Sequence, residues 1–103
     1  MDESLPIITK RVNSDGRVEC HLGFSSDWDG FDSIVKYLKK YWQASPVQIA
    51  DNIYSRRWVL ICNGIMLTVY HDSQIGNYLI VENGEDKDNL LGQIEADLIE
   101  RLR

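Results

Sequence analysis

The sequence predicts an α+β domain: a mainly antiparallel sheet of about five strands packed with two amphipathic helices. Three observations carry that prediction. Asn63-Gly64 stands between two β-prone apolar runs, the pattern of a tight hairpin. Phe31, Ile34, Val35, Leu38, Tyr41 and Trp42 recur at three- and four-residue steps, as do Leu91, Ile94, Leu98 and Leu102.

Taken in order, Leu5 to Val12 is β-prone and runs into Asn13, Ser14, Asp15 and Gly16, where Asp15-Gly16 signals a hairpin turn. A second strand follows from Arg17 to about Phe24, with Val18, Cys20 and Leu22 on its apolar face and His21 on the wet one. Ser26 and Asp29 have capping-box spacing, so a helix is expected to begin near Asp27 and bury the Phe31–Trp42 stripe. Lys36, Lys39 and Lys40 suit its C-terminal half, and it must stop before Pro46.

Val47 to Ala50 reads as a short strand or edge segment, and Asp51 to Arg57 as connection that Ile53 and Tyr54 could turn into more strand. Trp58 to Cys62 and Ile65 to Tyr70 form the clearest hairpin, since Asn-Gly favours the type I′ turn. His71 to Gly76 is expected as a loop and Asn77 to Val81 as the next strand, giving three consecutive antiparallel strands. An acidic loop, Asn83 to Asp88, then precedes a terminal helix capped by Asp88 or Asn89.

The 103 residues, 44% hydrophobic and 26% charged, suit one soluble domain spanning 1–103. A chain of this size folds to roughly 6,000 Å² of surface, which leaves room for one core and none for a large cofactor-binding architecture. Sixteen acids against eleven bases give a net charge of -5, a field that repels phosphate backbones and attracts basic partners. Met1 to Pro6 has neither a basic nor an apolar leader region, and no apolar run reaches membrane-spanning length. Two widely spaced cysteines do not form the disulfide framework of a secreted miniprotein, so the expectation is a cytoplasmic protein that binds neither nucleic acid nor membrane.

The inventory for chemistry is sparse. Tyr70, His71 and Asp72 are the best local cluster, and Cys62 or Cys20 could supply a nucleophile only at hydrogen-bonding distance from a histidine. A core cysteine beside a surface histidine is the commoner meaning of such residues. His21, His71 and a carboxylate would have to converge through folding to hold a metal, and no phosphate-binding glycine loop is present. Neither enzymatic activity nor a cofactor or metal is therefore expected. Arg56-Arg57 beside Trp58 lacks the wide basic groove of a nucleic-acid platform.

The acids are more suggestive. Asp72, Glu82, Glu85, Asp86 and Asp88 flank the Asn77–Val81 strand, and the last helix adds Glu95, Asp97 and Glu100. Facing one way, they would steer a basic protein into place, with Tyr54, Tyr70 and Tyr78 as aromatic anchors; the alternative is an ordinary solvated surface.

The helix from Phe31 to Trp42, the strand pair from Trp58 to Tyr70 and the acidic segment from Asp72 to Asp88 together resemble the small immunity proteins of bacterial contact-dependent or polymorphic toxin systems. That resemblance implies stoichiometric inhibition of a cognate toxin domain, commonly a nuclease with a basic cleft. Asp72, Glu82, Glu85, Asp86 and Asp88 are then the expected charged contacts, and Tyr70 and Tyr78 the packing anchors. The rival classes are an adaptor or homo-oligomeric structural protein using an edge near Val47 to Ala50, and a small hydrolase built around His71 or His21.

Overall fold

The computed structural model describes residues 8–23, 27–81 and 89–101. The strands are β1 (Ile8–Val12), β2 (Val18–Leu22), β3 (Ser45–Asp51), β4 (Ser55–Cys62), β5 (Ile65–Asp72) and β6 (Gly76–Val81). The helices are α1 (Trp28–Tyr41) and α2 (Leu90–Arg101). All six strands join one antiparallel sheet in the order β1-β2-β6-β5-β4-β3. A hairpin comes first, α1 crosses to the far edge, and a meander then returns until β6 pairs with β2. The sixth strand exceeds the expected five because the segment around Val47 to Ala50 extends to seven residues paired along β4.

Local chemistry explains the turns. At the first hairpin Gly16 takes a φ of 80°, as the Asp15-Gly16 signal requires, but Asn13 holds the turn. Its Oδ1 accepts from the N–H groups of Asp15 at 2.9 Å and Arg17 at 3.0 Å. Asn63 and Gly64 have φ of 54° and 79°, the two positive values of a type I′ turn. The expected loop from His71 to Gly76 is shorter than predicted, since β5 continues through Asp72 and Gly76 opens β6. His71 pairs inward against Arg56 and Asn77 in neighbouring strands, which keeps it in the ladder.

Asp27 caps α1, its side chain accepting the Gly30 N–H at 2.7 Å. The predicted Ser26 cap lies outside the described residues, as do Leu5, Phe24, Asp88 and Leu102. Phe31, Ile34, Val35 and Leu38 are buried as the stripe demands. Tyr41 is exposed instead: at 100° per residue it sits about 70° from the centre of the stripe. Val18 is also exposed, at the end of its strand, while Cys20 and Leu22 are buried.

Both helices share one core with one face of the sheet, including Cys20, Leu60, Leu67, Val69 and Leu79 beneath Phe31, Leu38, Leu91 and Ile94. The helices are also tied by polar contacts. The Tyr37 hydroxyl donates to Asp97 and accepts from Trp42 Nε1 at 2.7 Å, Arg101 Nε meets Asp97 at 2.8 Å, and Lys10 of β1 meets Glu95 at 2.8 Å. Glu95 and Asp97, grouped above with a negative surface, are thus paired within the chain. Among the described residues no helix is long and apolar enough to cross a membrane.

Candidate functional site

In a strand, successive side chains face opposite sides of the sheet. Tyr70 and Asp72 therefore point away from the helices while His71 points toward them, so the cluster read from sequence is split by the backbone itself. On the helix-free face the register aligns one row across the sheet: Ala50, Arg57, Tyr70, Tyr78, His21 and Thr9. The rings of Tyr70 and Tyr78 stack with centroids 4.9 Å apart, and His21 stacks on Tyr78 at 4.7 Å. Arg57 closes one end, its Nε donating to the Tyr70 hydroxyl at 3.1 Å, and His21 Nε2 meets Glu19 at 2.8 Å at the other. Cross-strand pairs of this kind stabilise a sheet and hold the rings in fixed orientations.

The adjacent row on this face is Val59, Thr68 and Ile80, all buried although they lie outside the helix-covered core. The Thr68 hydroxyl is fully buried with no hydrogen-bond partner, a cost the fold carries.

Tyr70, Asp72 and Tyr78 meet at one cavity of about 360 Å³, which Ala50, Asn52, Ser55 and Arg57 help to line. The sheet thus brings together three of the residues singled out from sequence. Asp72 also has a structural task, since its Oδ1 accepts from the N–H groups of Gln74 at 2.8 Å and Ile75 at 3.2 Å and so holds the β5–β6 turn. Glu82, Glu85, Asp86 and Asp88 lie outside the described residues. They follow Val81, which sits at the opposite end of β6 from Gly76, the partner of Asp72.

Beneath α1 lies a cluster that no local pattern of residues announces. Arg56 is 6% exposed, with its guanidinium 4.3 Å from the Phe31 ring centroid, 4.6 Å from Trp28 and 5.4 Å from Trp58. Asp32 accepts from its Nη1 at 2.9 Å and Asp51 from its Nε at 3.0 Å. Burial raises the Asp51 pKa, but hydrogen bonds from Arg56 and Trp58 outweigh it and hold the carboxyl below its usual range. Beside this cluster His71 Nδ1 is 2.7 Å from Asn77 Oδ1, and Asn77 Nδ2 donates to the Asp27 carbonyl at 3.0 Å. The Asn77 oxygen must therefore accept, which places the proton on Nδ1 of His71. Arg56 is thus a structural clamp and is not free to serve a basic patch with Arg57.

Both thiols are free and buried. Burial pushes Cys20 up to about 11 and raises Cys62 as well, so both stay protonated and poorly nucleophilic. Cys20 in β2 and Cys62 in β4 are separated by β6 and β5, about 14 Å across the sheet at the spacing of strands, and by a further four residues along β4, since the register aligns Cys20 with Trp58. Among the described residues no group of three histidine, cysteine or acidic side chains is placed to hold a metal.

Fold and site together describe an open antiparallel sheet with helices on one face and an aromatic row on the other. Comparison of the chain with protein-family models, with curated proteins and with solved structures finds no match.

Proposed function

We propose that this chain is an immunity protein that binds a cognate bacterial toxin domain with a basic surface, a nuclease being the best fit, and neutralises it stoichiometrically in the cytoplasm. The observation that carries the reading is the convergence of Tyr70, Tyr78 and Asp72 on one cavity of the helix-free face. Stacked tyrosines with fixed rings are low-entropy anchors, and a chain of net charge -5 attracts a cleft built to hold phosphates. Glu82, Glu85, Asp86 and Asp88 add charged contacts in this proposal. Inhibition follows from occupying the cleft, so the inhibitor needs no chemistry, cofactor or metal of its own.

The test is affinity capture from the native bacterium followed by titration of the captured partner's activity. A basic domain that loses nuclease activity at a one-to-one ratio supports the proposal. Tyr70→Ala with Tyr78→Ala should then weaken inhibition by at least about tenfold, as removal of a central aromatic anchor does. Capture of only the chain itself contradicts it.

That second outcome would favour a homo-oligomer, and one feature leans that way: edge strand β3 exposes Val47 and Ile49. The same strand carries Pro46 and a register shift between Pro46 and Gln48, two devices that blunt an edge against pairing.

A further inference from the structure

We propose that the partner is held by a further contact at the hairpin tips at the Asp72 end of the sheet, where Ile53 and Tyr54 dock into a basic, amphipathic protein surface. The proposal rests on the reading that the chain binds a basic protein, and it adds where and through what the partner is held.

The Asn52 N–H donates to the Ser55 carbonyl at 2.8 Å, so Ile53 and Tyr54 are the central pair of a tight β3–β4 turn. Such turns are commonly built from asparagine, aspartate and glycine, although neither Ile53 nor Tyr54 takes a positive φ and the backbone admits any side chain here. Here two large apolar side chains take those places, 82% and 72% exposed. Among the described residues neither belongs to the core cluster or to the hydrophobics packed on it. The Ser73 N–H donates to the Tyr54 carbonyl at 3.0 Å, which ties this tip to the β5–β6 turn and its Ile75, itself 57% exposed. Anchors on braced turns lose little conformational entropy when they bind.

The charge around the tips selects the occupant. Asn77 bonds the Asp27 carbonyl and Arg56 pairs with Asp32 and Asp51, so the start of α1 lies over this end of the sheet. Asp27, Asp29, Asp32 and Asp51 are exposed there, and Asp72 ends β5 beside them. Arg56 is buried and already matched by two of these carboxylates, Arg57 is half-buried and turned to the Tyr70 hydroxyl on the helix-free face, and Lys36, Lys39 and Lys40 belong to the other half of α1. Apolar tips in a negative field fit apolar side chains flanked by lysine or arginine. A second copy docking through the same patch would set acids against acids, and an anionic bilayer would be repelled in the same way.

The test is an NMR titration of the ¹⁵N-labelled chain with an amphipathic helical peptide of leucine and lysine, beside a lysine-only peptide of equal charge. Shifts should concentrate at Ile53, Tyr54 and Ile75. The exposed pair Ile53→Ser with Tyr54→Ser should weaken binding about tenfold or more, and Asp29→Lys should weaken it too. Ile99→Ser, on the exposed side of α2, should leave it unchanged. An unaltered melting temperature for each variant shows that the fold is kept. Shifts centred on α2, equal binding of the lysine-only peptide, preferential binding to phosphatidylcholine–phosphatidylglycerol vesicles, or dimerisation through the tips would each overturn the proposal. If the peptide docks on the tips but no toxin is inhibited, the immunity reading falls and the tip assignment stands. If a toxin is inhibited equally well by the serine pair, the tip assignment falls alone.

Discussion

Replacing Arg56 with alanine removes a side chain that touches three aromatic rings and two carboxylates at once. The two ion pairs contribute least, because Asp32 and Asp51 are half-exposed and return to water when released, about 0.5 kcal/mol each. Losing a desolvated cation over the rings costs about 1–2 kcal/mol in all, since the contacts share one guanidinium and do not add fully. Stripping the buried aliphatic stem costs about another 1–2 kcal/mol in packing. The sum is about 3–5 kcal/mol, a large share of the stability of a domain this size. Arg56→Met keeps the stem and should cost about 2–3 kcal/mol, roughly two thirds as much. Urea unfolding followed by tryptophan fluorescence reads this directly, because Trp28 and Trp58 line the cluster. An alanine variant within about 1 kcal/mol of the native chain would refute the clamp. A methionine variant as unstable as alanine would refute the division between stem and charge.

Four further outcomes are expected. Hydrogen bonds from Tyr37 and Arg101 hold the Asp97 carboxyl below its usual range, so its stabilising contribution is present above the unfolded value of about 4 and is lost as pH falls through the folded one. Asp97→Asn should flatten that acid limb of melting temperature against pH. Thr68→Val removes a buried, unpartnered hydroxyl at nearly constant shape and should raise stability by about 1 kcal/mol in urea unfolding; a loss of similar size would mean that the hydroxyl has a partner. Gly64→Ala places a side chain at φ 79° with open space around it, so backbone strain alone should cost about 1–2 kcal/mol, measured in the same way. Cys20 and Cys62 should react with a thiol reagent only as fast as the chain opens, and rapid labelling of the native protein would contradict their burial.

Much of the fold can be read in the sequence because the signals are local. Asn63-Gly64, Asp15-Gly16 and the Phe31–Leu38 stripe act through a few neighbouring residues, and the elements they predict are present. The errors occur where distant partners decide. β3 extends because β4 lies beside it, and His71 stays in the ladder because Arg56 and Asn77 flank it. Glu95 and Asp97 look like free surface acids until Lys10, Tyr37 and Arg101 are brought to them. The site follows the same division. Tyr70, Asp72 and Tyr78 can be picked out individually, but the row that joins them to Arg57 and His21 depends on strand order, which pairs β6 with β2 across the length of the chain. Strand alternation alone would have separated His71 from Tyr70 and Asp72.

If the proposed immunity function holds, a basic toxin domain is bound by charge and aromatic anchors, and the decisive measurement is calorimetric titration of the captured domain at low and high salt. One-to-one binding should weaken as salt rises and weaken further when Tyr70 and Tyr78 are replaced. Binding that is indifferent to salt and to both tyrosines, or no saturable binding at all, would contradict it.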